Sequence, residues 1–555
     1  MTAATTAAPR PTAPRRQRDS ALVGTWGLLR FMLRRDRVWF PAWVLGLTLM
    51  LGYFANALGL VLDEESLAGF AVFAANPVVT LIGGPGYGFD DITVARFLVG
   101  LYGGYLMIGA ALMNILTVAR HTRVEEQSGR AELVRANVVG RHAQLAAALI
   151  GVAMMNVAMS VLMALLFQFS PADPGSMNSS MLFAFSIGAV GLVFAGVAAL
   201  TAQLTAFSRA ASGYAGAVLA LSFGLRGLGD MSHAQGGGLG WLSWLSPFGW
   251  SQQTAPLTLD RWWPLAISVA VVAACIAGGF ALQSRRDLAS GILADRLGSA
   301  TAAGWLRGPL SLAFRLQRAG LMWWTIALAV AGVTFGAFVS PMADNAESMP
   351  EEILSVFGGA DGMVDGYLGY MGVYYAIMIA VYAILTVQAA WSEEQSVRVE
   401  PVLATAVSRT SWLLSWALCA AVGVLWLFAV VGFGNAIGAS LATGDWTLFG
   451  PVLIGQLAHT PSVWLILALA AALYGLAPRL IGLSWIFFGY SAALSLFGDM
   501  LELDDSVLAT SVFRHVGQHP AEDISWVAVA VLTAAAALLL VAGVAAFRRR
   551  DLKTA

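Results

Sequence analysis

Two polar segments of the chain repeat the same pattern of glutamates and arginines, and they are its clearest candidates for a functional contact. The first motif, EEQSGRAELVRANVVGR, begins at Glu125, and the second motif, EEQSVRVEPVLATAVSR, begins at Glu393. Ten of their seventeen aligned positions are identical without a gap. Carboxylates and guanidinium groups form charge-assisted hydrogen bonds, which suits them to binding another protein. The residues predicted to make that contact are Glu125, Glu126, Arg130, Glu132, Arg141, Glu393, Glu394, Arg398, Glu400 and Arg409.

The repeated motifs have a second interpretation. A polar segment that repeats while the apolar residues around it differ is more often held by a partner than by packing. The alternative is a solvated segment whose glutamates and arginines pair with one another. We favour the partner contact and keep internal pairing as the alternative.

Long apolar segments of the chain flank the two motifs and must hold them in place. Hydrophobic residues make up 58% of the 555 residues, charged residues only 11%, and the mean hydropathy is +0.73. A soluble domain has about 25% charged residues, so we predict an integral membrane protein. The runs reach the ~20 residues of a transmembrane helix and lack the alternation of a β-barrel. About twelve spans are predicted: 39–60, 97–118, 143–168, 181–207, 211–231, 263–283, 320–340, 368–390, 411–440, 453–477, 480–500 and 525–547.

Two shorter motifs also repeat. RRDL occurs at Arg285–Leu288 and at Arg549–Leu552, and GDM occurs at Gly229–Met231 and at Gly498–Met500. Six spans in each half place both halves in the membrane in the same direction. We therefore predict an all-α membrane protein of two parallel six-helix repeats, a fused pseudo-dimer. Its predicted parts are a disordered cytoplasmic N-terminus at 1–24, a first half at 25–288, a cytoplasmic linker at 289–311 and a second half at 312–552.

The distribution of charge predicts the orientation. Arginines cluster before the first span, after the second and sixth spans, and after the last one. Short loops rich in arginine stay on the cytoplasmic side of a membrane. We therefore predict a multi-pass protein of the bacterial plasma membrane with both termini in the cytoplasm. The net charge of −1 gives no support to nucleic-acid binding.

The chain lacks the residues needed to hydrolyse ATP by itself. Lys553 is the only lysine, whereas a P-loop needs a lysine after its glycines to reach the phosphates. No carboxylate lies in the middle of a predicted span, as a proton-coupled transporter usually requires. Asp230 and Asp499 are at span ends, and His515 and His519 have no further ligands for a metal. We expect no metal or cofactor on this chain and no enzymatic activity.

The first motif resembles the coupling helix of type-2 ABC exporter permeases. In that family a short helix after the second span carries a run of Glu, Gly, Glu, Ala and Arg, and this sequence has Glu126, Gly129, Glu132, Ala136 and Arg141. The six-plus-six layout extends the resemblance over nearly the whole chain. The fused form resembles the actinobacterial tetronasin-resistance and polyketide-antibiotic exporter permeases, which implies multidrug efflux.

The second motif departs from the family pattern at Val397, where the glycine is absent, so its helix is expected to be set differently. The resemblance implies that the ATP-binding protein is a separate polypeptide, which holds ATP and Mg²⁺. Two coupling helices in one chain imply two ATP-binding subunits. Closure of these subunits would drive a rocking of the two halves.

The resemblance also implies where transported compounds pass. An apolar and aromatic lining favours hydrophobic or amphipathic molecules. Helices that precede the coupling helices border the pathway in the family, and their tyrosines are Tyr102, Tyr105, Tyr370, Tyr374, Tyr375 and Tyr382. The connection between the fifth and sixth spans forms an outer gate in the family, and the corresponding residues are Asp230, Trp241, Trp244, Phe248, Trp250 and Asp499.

Two other classes of membrane protein compete with this prediction. A major-facilitator drug/proton antiporter also has six plus six spans, but its second-to-third loop carries a run of the type G-x-x-x-D-R-x-G-R-R, which the first motif lacks. A membrane-embedded enzyme such as a lipid transferase needs a set of polar catalytic residues, and the sequence offers none that is recognisable. We rank the antiporter second and the enzyme third.

Overall fold

The computed structural model describes residues 21–61, 77–136, 139–287, 289–293, 298–344, 346, 357–359, 362–498 and 503–552. Within these residues every regular element is a helix, and eleven helices are long and apolar enough to cross a membrane. The prediction of an all-α integral membrane protein is therefore confirmed. The eleven candidate spans are Trp39–Gly59, Val94–Gln127, Ala143–Gln168, Met177–Leu204, Pro264–Gln283, Pro309–Asp344, Met363–Gln395, Arg409–Thr443, Trp446–Leu476, Pro478–Leu496 and Trp526–Arg549.

One predicted span, 211–231, is not among these eleven. It lies within the helix Ser208–Ala234, which has 27 residues and is therefore long enough to cross a membrane. This helix carries Arg226 and Asp230, whose charged side chains are both buried. Charged side chains lower the hydropathy of this helix, and it is not among the candidate spans. About twelve spans were predicted from the length of the apolar segments, and this helix is the one by which that number exceeds the eleven candidates.

The chain divides into two compact units with the boundary at Gly298. Each unit has its own apolar core. In the first unit this core includes Phe167, Phe183 and Phe194. In the second unit it includes Tyr375 and Phe428.

Small residues allow helices of the second unit to approach closely. On the helix Pro309–Ala337, a methyl group added at Gly332 would lie 2.6 Å from the carbonyl oxygen of Val431. The neighbouring helix Arg409–Thr443 presents Gly434 at the same contact. Helices in membranes associate through such close backbone contacts because apolar burial against lipid adds little.

Shorter helices lie at the ends of the spans and between them. In the first unit, the basic helix Thr25–Arg35 is separate from the span that follows it. In the second unit, the basic residues before the apolar part of the first span have no separate helix, because they belong to the uninterrupted helix Pro309–Ala337. The other short helices are Pro77–Gly83, Arg123–Gln127, Arg130–Arg135, Pro247–Gln252, Val339–Asp344, Val399–Leu403 and Asp505–Leu508, with 3₁₀ turns at Phe89–Asp91, Gly240–Leu245, Trp446–Leu448 and Pro478–Leu480.

Candidate functional site

The two motifs have the same local backbone. Each follows a long spanning helix and turns into a short helix, Arg130–Arg135 in the first motif and Val399–Leu403 in the second. The turn in the first motif is at Gly129, with φ of 73°. Val397 takes the equivalent position and has φ of 59°. Since a β-branched residue rarely adopts this left-handed conformation, the turn is kept in the second motif at the cost of backbone strain. The left-handed turn is therefore kept without the glycine, and the short helix of the second motif begins one residue later, at Val399.

Glu126 of the first motif is buried in an ion pair inside its own unit. Its two carboxylate oxygens accept hydrogen bonds of 2.7 and 2.9 Å from Arg286, the second arginine of the first RRDL. Arg123 donates a further bond of 2.9 Å to the same carboxylate. The side chains of Arg123 and Arg286 are 0% and 3% exposed. Glu126 thus joins the motif to the chain segment that follows the sixth span.

Glu394 is the equivalent residue of the second motif, and it makes the equivalent pair. It accepts a hydrogen bond of 2.7 Å from Arg550, the second arginine of the second RRDL. The hydroxyl of Tyr474 donates to the same oxygen at 2.6 Å. Glu394 is 2% exposed. The position that corresponds to Arg123 is occupied by Trp391, so the second motif lacks an arginine at this position.

The last residue of each motif binds the same helix end. We call Pro264–Gln283 the first closing helix and Trp526–Arg549 the second closing helix. Arg141 donates to the carbonyl of Gln283 at 3.1 Å and to that of Arg286 at 3.0 Å. Arg409 donates to the carbonyl of Arg550 at 2.7 Å. A cation at a helix C-terminus satisfies carbonyls that lack an intrahelical partner and complements the helix dipole.

Each motif is therefore attached at two points to the end of the closing helix of its unit. The first anchor consists of Glu126, Arg141 and Arg286, and the second anchor consists of Glu394, Arg409 and Arg550. Sequence analysis identified both the motifs and the RRDL repeats but missed that they meet. The signal that could have connected them is their joint recurrence, because an acidic and a basic residue that repeat together are candidates for a pair.

The remaining predicted motif residues lie nearer the surface. Glu125 pairs with Arg35 of the helix Thr25–Arg35 at 2.6 Å, whereas Glu393 pairs with Arg398 of its own motif at 2.7 Å. The side chains of Arg130 and Arg398 are 58% and 55% exposed. Glu132 and Glu400 are also exposed. Of the ten predicted residues, Glu126 and Glu394 are therefore buried, whereas Arg141 and Arg409 contact the ends of the closing helices from nearer the surface.

The predicted pathway tyrosines are in different environments. In the first unit Tyr102 is partly buried beside Phe54, with ring centroids 4.3 Å apart, and Tyr105 is 44% exposed. In the second unit Tyr375 and Tyr382 are buried at 0% and 3% exposure. The remaining two, Tyr370 and Tyr374, are partly buried against Phe357 and Phe335.

The predicted outer-gate residues of the first unit are close in the chain but differ in exposure. Two short helices, Gly240–Leu245 and Pro247–Gln252, carry the four aromatic residues, whereas Asp230 lies on the helix Ser208–Ala234. Phe248 is fully buried, and the indole of Trp250 donates to the carbonyl of Trp244 at 2.6 Å. The other members are Trp241, which is 57% exposed, and Asp230, which lies 3.8 Å from Arg226, while Asp499 lies outside the described residues.

A polar residue that sequence analysis missed lies inside a span of the second unit. His459 is 1% exposed and sits where the helix Phe449–Ala458 ends and the helix Thr460–Leu476 begins. Its Nδ1 has no hydrogen-bond partner among the described residues. The search of the spans considered only carboxylates, although a histidine in the same place can also take up a proton.

Comparison with known proteins identifies the family. Residues 26–282 and 306–548 match the family model described as multidrug efflux system permease Rv1217c, C-terminal domain. Over 546 residues the chain is 35% identical to the multidrug efflux system permease protein Rv1217c of Mycobacterium tuberculosis, which covers 97% of this chain and 96% of that protein. The resemblance to exporter permeases is confirmed, and the chain is a multi-pass transport component. It belongs to the family of multidrug efflux system permeases represented by Rv1217c.

Proposed function

We propose that this permease is driven by separate ATP-binding subunits of the ABC type, which engage the outer faces of its two motifs. The observation that carries the proposal is the exposure of repeated residues. Five of the ten identical pairs are exposed in both motifs, namely Gln127/Gln395, Ser128/Ser396, Arg130/Arg398, Glu132/Glu400 and Ala136/Ala404. Packing does not hold an exposed residue constant between two repeats, whereas a shared partner does.

The internally paired residues of each motif limit how far the alternative interpretation reaches. Internal pairing accounts for Glu126 and Glu394, for the two arginines that end the motifs, and for Arg130 and Arg398, which lie 3.7 and 2.7 Å from Glu125 and Glu393. It gives no reason for the exposed Ala136 and Ala404 to be identical. The anchors also connect the exposed face of each motif to the closing helix of the same unit. Movement of the motif by a bound partner would therefore be transmitted to that helix.

The energy source follows from composition. Lys553 is the only lysine of the chain, so ATP and Mg²⁺ would be held by the partner subunits. Two motifs per chain call for two copies of the ATP-binding subunit. The arginine-rich segments, including both motifs and the C-terminus, would lie in the cytoplasm. The exported compounds would be hydrophobic or amphipathic, because the described spans are lined mainly by apolar and aromatic side chains.

Purification of the tagged chain from its native membrane tests the proposal. We expect two copies of one P-loop ATPase per chain. Charge reversal of the exposed arginines, Arg130→Glu with Arg398→Glu, should release the ATPase while the permease stays folded. Arg285→Glu with Arg549→Glu is the matched control, since it reverses the same charge at two exposed arginines of the closing motifs. A chain that purifies alone, or equal ATPase binding by both double variants, would contradict the proposal.

A proton-coupled antiporter is the second candidate, and His459 is the observation that favours it. Ionisable residues inside a membrane span are costly and mark proton or substrate pathways in many transporters. The deciding measurement is drug export from cells treated with a protonophore while ATP is kept high. Export that continues supports the ATP-driven permease, and export that stops supports the antiporter.

A further inference from the structure

We infer that the first unit binds a small, uncharged amphipathic compound in a cavity beneath residues 80–91, that Gln252 accepts a hydrogen bond from this compound, and that residues 80–91 cover it. We call residues 80–91 the cover segment. This inference deepens the proposed function by giving an exported compound a site and a chemical class, and it rests on that function for the direction of export. Binding in the cavity itself requires no ATP-binding subunit.

The cavity has a mainly apolar wall. Its empty space, mouth included, is about 400 Å³, which limits an occupant to a small molecule. Val99 and Met107 of one spanning helix and Phe183 of another line it. In the part of the chain that the structure describes, every residue that lines the cavity is uncharged. Transfer of a charged group into such surroundings is costly, so the wall favours an uncharged and largely apolar ligand.

Gln252 supplies the polar contact of the cavity. It is 8% exposed, and its Nε2 donates to the carbonyl of Gly83 at 2.9 Å. Its Oε1 is buried and accepts no hydrogen bond from any residue that the structure describes. A buried acceptor without a donor is unfavourable. An N–H or O–H group of a ligand that reaches this oxygen would supply the donor, while the amide nitrogen keeps its contact with the cover segment.

The second unit has no glutamine at the position of Gln252. The segment SPFGWSQ at Ser246–Gln252 corresponds to SVFRHVG at Ser511–Gly517. The serine and the phenylalanine at their first and third positions are fully buried in both segments. The last position is Gln252 in one segment and Gly517 in the other. Residues that the shared fold requires recur in both repeats, so a buried glutamine present in only one of them indicates a use beyond that fold.

Side chains hold the cover segment at separate points. Arg226 donates to the carbonyls of Thr80 and Ile82 at 3.4 and 3.0 Å. The hydroxyl of Tyr87 donates to Oε1 of Gln253 at 2.5 Å. Local opening of a protein needs little free energy where only a few hydrogen bonds must break. The part of the cover segment around Tyr87 can therefore open while Arg226 keeps hold of its beginning.

Glycines let the cover segment turn and lie close to the cavity. Gly84, Gly86 and Gly88 have φ of 116°, 69° and 81°, in the left-handed region that favours glycine. A methyl group added at Gly84 would lie 2.5 Å from Nε2 of Gln252. The backbone of the cover segment thus rests directly on the side chain that offers the free acceptor. A ligand bound to that acceptor would lie under the cover segment.

The cavity and the first motif are at opposite ends of one helix. Val99 lies near the start of the span Val94–Gln127, and Glu125 lies near its end. At 1.5 Å per residue the two are about 40 Å apart. The proposed function puts the first motif in the cytoplasm, so the cavity would open at the outer end of the span. A compound bound there would be at the last step of its export.

Binding to the full chain, purified without an ATPase, tests the inference. The probe is N-phenyl-α-naphthylamine, which is uncharged, largely apolar and has one N–H donor. Its N-methyl derivative is the matched probe without the donor. Scintillation proximity measures binding of both labelled probes to the chain in lipid nanodiscs, with empty nanodiscs as background. We expect the N–H probe to bind about tenfold more tightly, because it alone supplies a donor to the buried oxygen.

Three variants test whether Gln252 and the cavity cause this preference. Gln252→Met has a side chain of similar length and should abolish the preference for the N–H probe. Val99→Phe should narrow the cavity and weaken the binding of both probes about tenfold. Gln518→Met is the matched control, since it removes a glutamine from the corresponding loop of the second unit and should leave both affinities unchanged. If Gln252→Met does not accumulate as folded protein, the two probes on the unaltered chain and Val99→Phe decide.

Binding rates test the cover segment. Tyr87→Phe removes the hydrogen bond to Gln253 and leaves the ring in place. Entry and release of the N–H probe should each become about fivefold faster, while its affinity stays within about twofold. Unchanged rates would show that residues 80–91 do not cover the bound compound.

The outcomes distinguish this inference from the proposed function. Equal binding of the two probes by the unaltered chain, or binding of neither, would refute the inference. An undiminished preference in Gln252→Met, unchanged binding in Val99→Phe, or an equal loss in Gln518→Met would refute it as well. A chain that binds no ATPase but prefers the N–H probe would refute the proposed function and leave the site. A complex that exports drug with ATP but shows no such preference would refute the inference alone.

Discussion

The first and second motifs share a backbone and an anchor but differ in what surrounds them. The first motif is tied to the helix Thr25–Arg35 through Arg35 and Glu125, and to its closing helix through Glu126. The second motif has no such tie to a preceding helix among the described contacts, because Glu393 pairs with Arg398 of the same motif. The first glutamate of each motif thus pairs with a different part of the chain.

The difference traces to how each unit begins. In the first unit the helix Thr25–Arg35 ends just before Asp36, whose side chain is buried. Asp36 pairs with Arg120 at 3.1 Å and with His121 at 2.6 Å, and both of these residues lie at the end of the span before the motif. In the second unit the helix Pro309–Ala337 runs without a break and supplies no equivalent acidic residue to that position. Repetition of a sequence thus preserved the link to the closing helix and let the other supports diverge.

Loss of the carboxylate at Glu126 or at Glu394 should produce the largest difference in stability between the two motifs. Glu126→Leu would remove the carboxylate shared by the buried Arg123 and Arg286, whereas Glu394→Leu would remove the carboxylate that accepts from the partly buried Arg550. Breaking a buried ion pair costs about 3–5 kcal/mol, and we expect Glu126→Leu to be at the upper end of that range. Equilibrium unfolding in detergent, followed separately in each variant, measures the difference. A larger loss in Glu394→Leu would show that the second anchor carries more of the stability.

An arginine placed in the second motif at the position of Arg123 should make the two motifs more alike. Trp391 precedes Glu394 by three residues, as Arg123 precedes Glu126. Residues three apart on a helix are neighbours, so Trp391→Arg should place an additional cation beside Glu394. In the Arg550→Gln background we expect this change to recover about half of the stability that is lost with Arg550. No recovery in thermal unfolding would mean that Arg550 acts through more than its charge.

The strained turn of the second motif offers a smaller effect. Val397→Gly should relieve the left-handed backbone conformation and stabilise the protein by about 1 kcal/mol. Gly129→Val is the reciprocal change, and nothing lies within 4 Å of a Cβ at that position. Its cost should therefore be purely conformational and similar in size. Thermal unfolding of the two variants tests this, and shifts in the same direction would contradict a shared turn.

The smallest effect is expected at the surface of the first motif. Arg35→Gln removes the 2.6 Å pair with Glu125, whose partners are 27% and 12% exposed. Exposed ion pairs contribute about 0.2–1 kcal/mol, so unfolding should change little. Limited proteolysis should nevertheless detect a more open first motif, while Arg398→Gln should leave the first motif unchanged. Identical cleavage of the unaltered chain and the Arg35→Gln variant would show that this tie does not constrain the motif.

The class of the protein and its internal repeat could both be read from the sequence. Low charge and long apolar runs require a membrane environment whatever the packing, and identical residues at a constant spacing are visible without a structure. The same reasoning predicted all eleven candidate spans, and the twelfth predicted span lies in the helix Ser208–Ala234, where Arg226 and Asp230 are buried. It also found both motifs and both RRDL segments.

Which motif residues are buried, and which arginines they contact, could be seen only in the tertiary structure. Glu126 and Arg286 are 160 positions apart, and Glu394 and Arg550 are 156 apart. Which carboxylate meets which arginine over such distances depends on how six helices pack, and local spacing carries no information about it. Composition and repetition are properties of the chain, whereas the burial of a charge is a property of the fold that surrounds it.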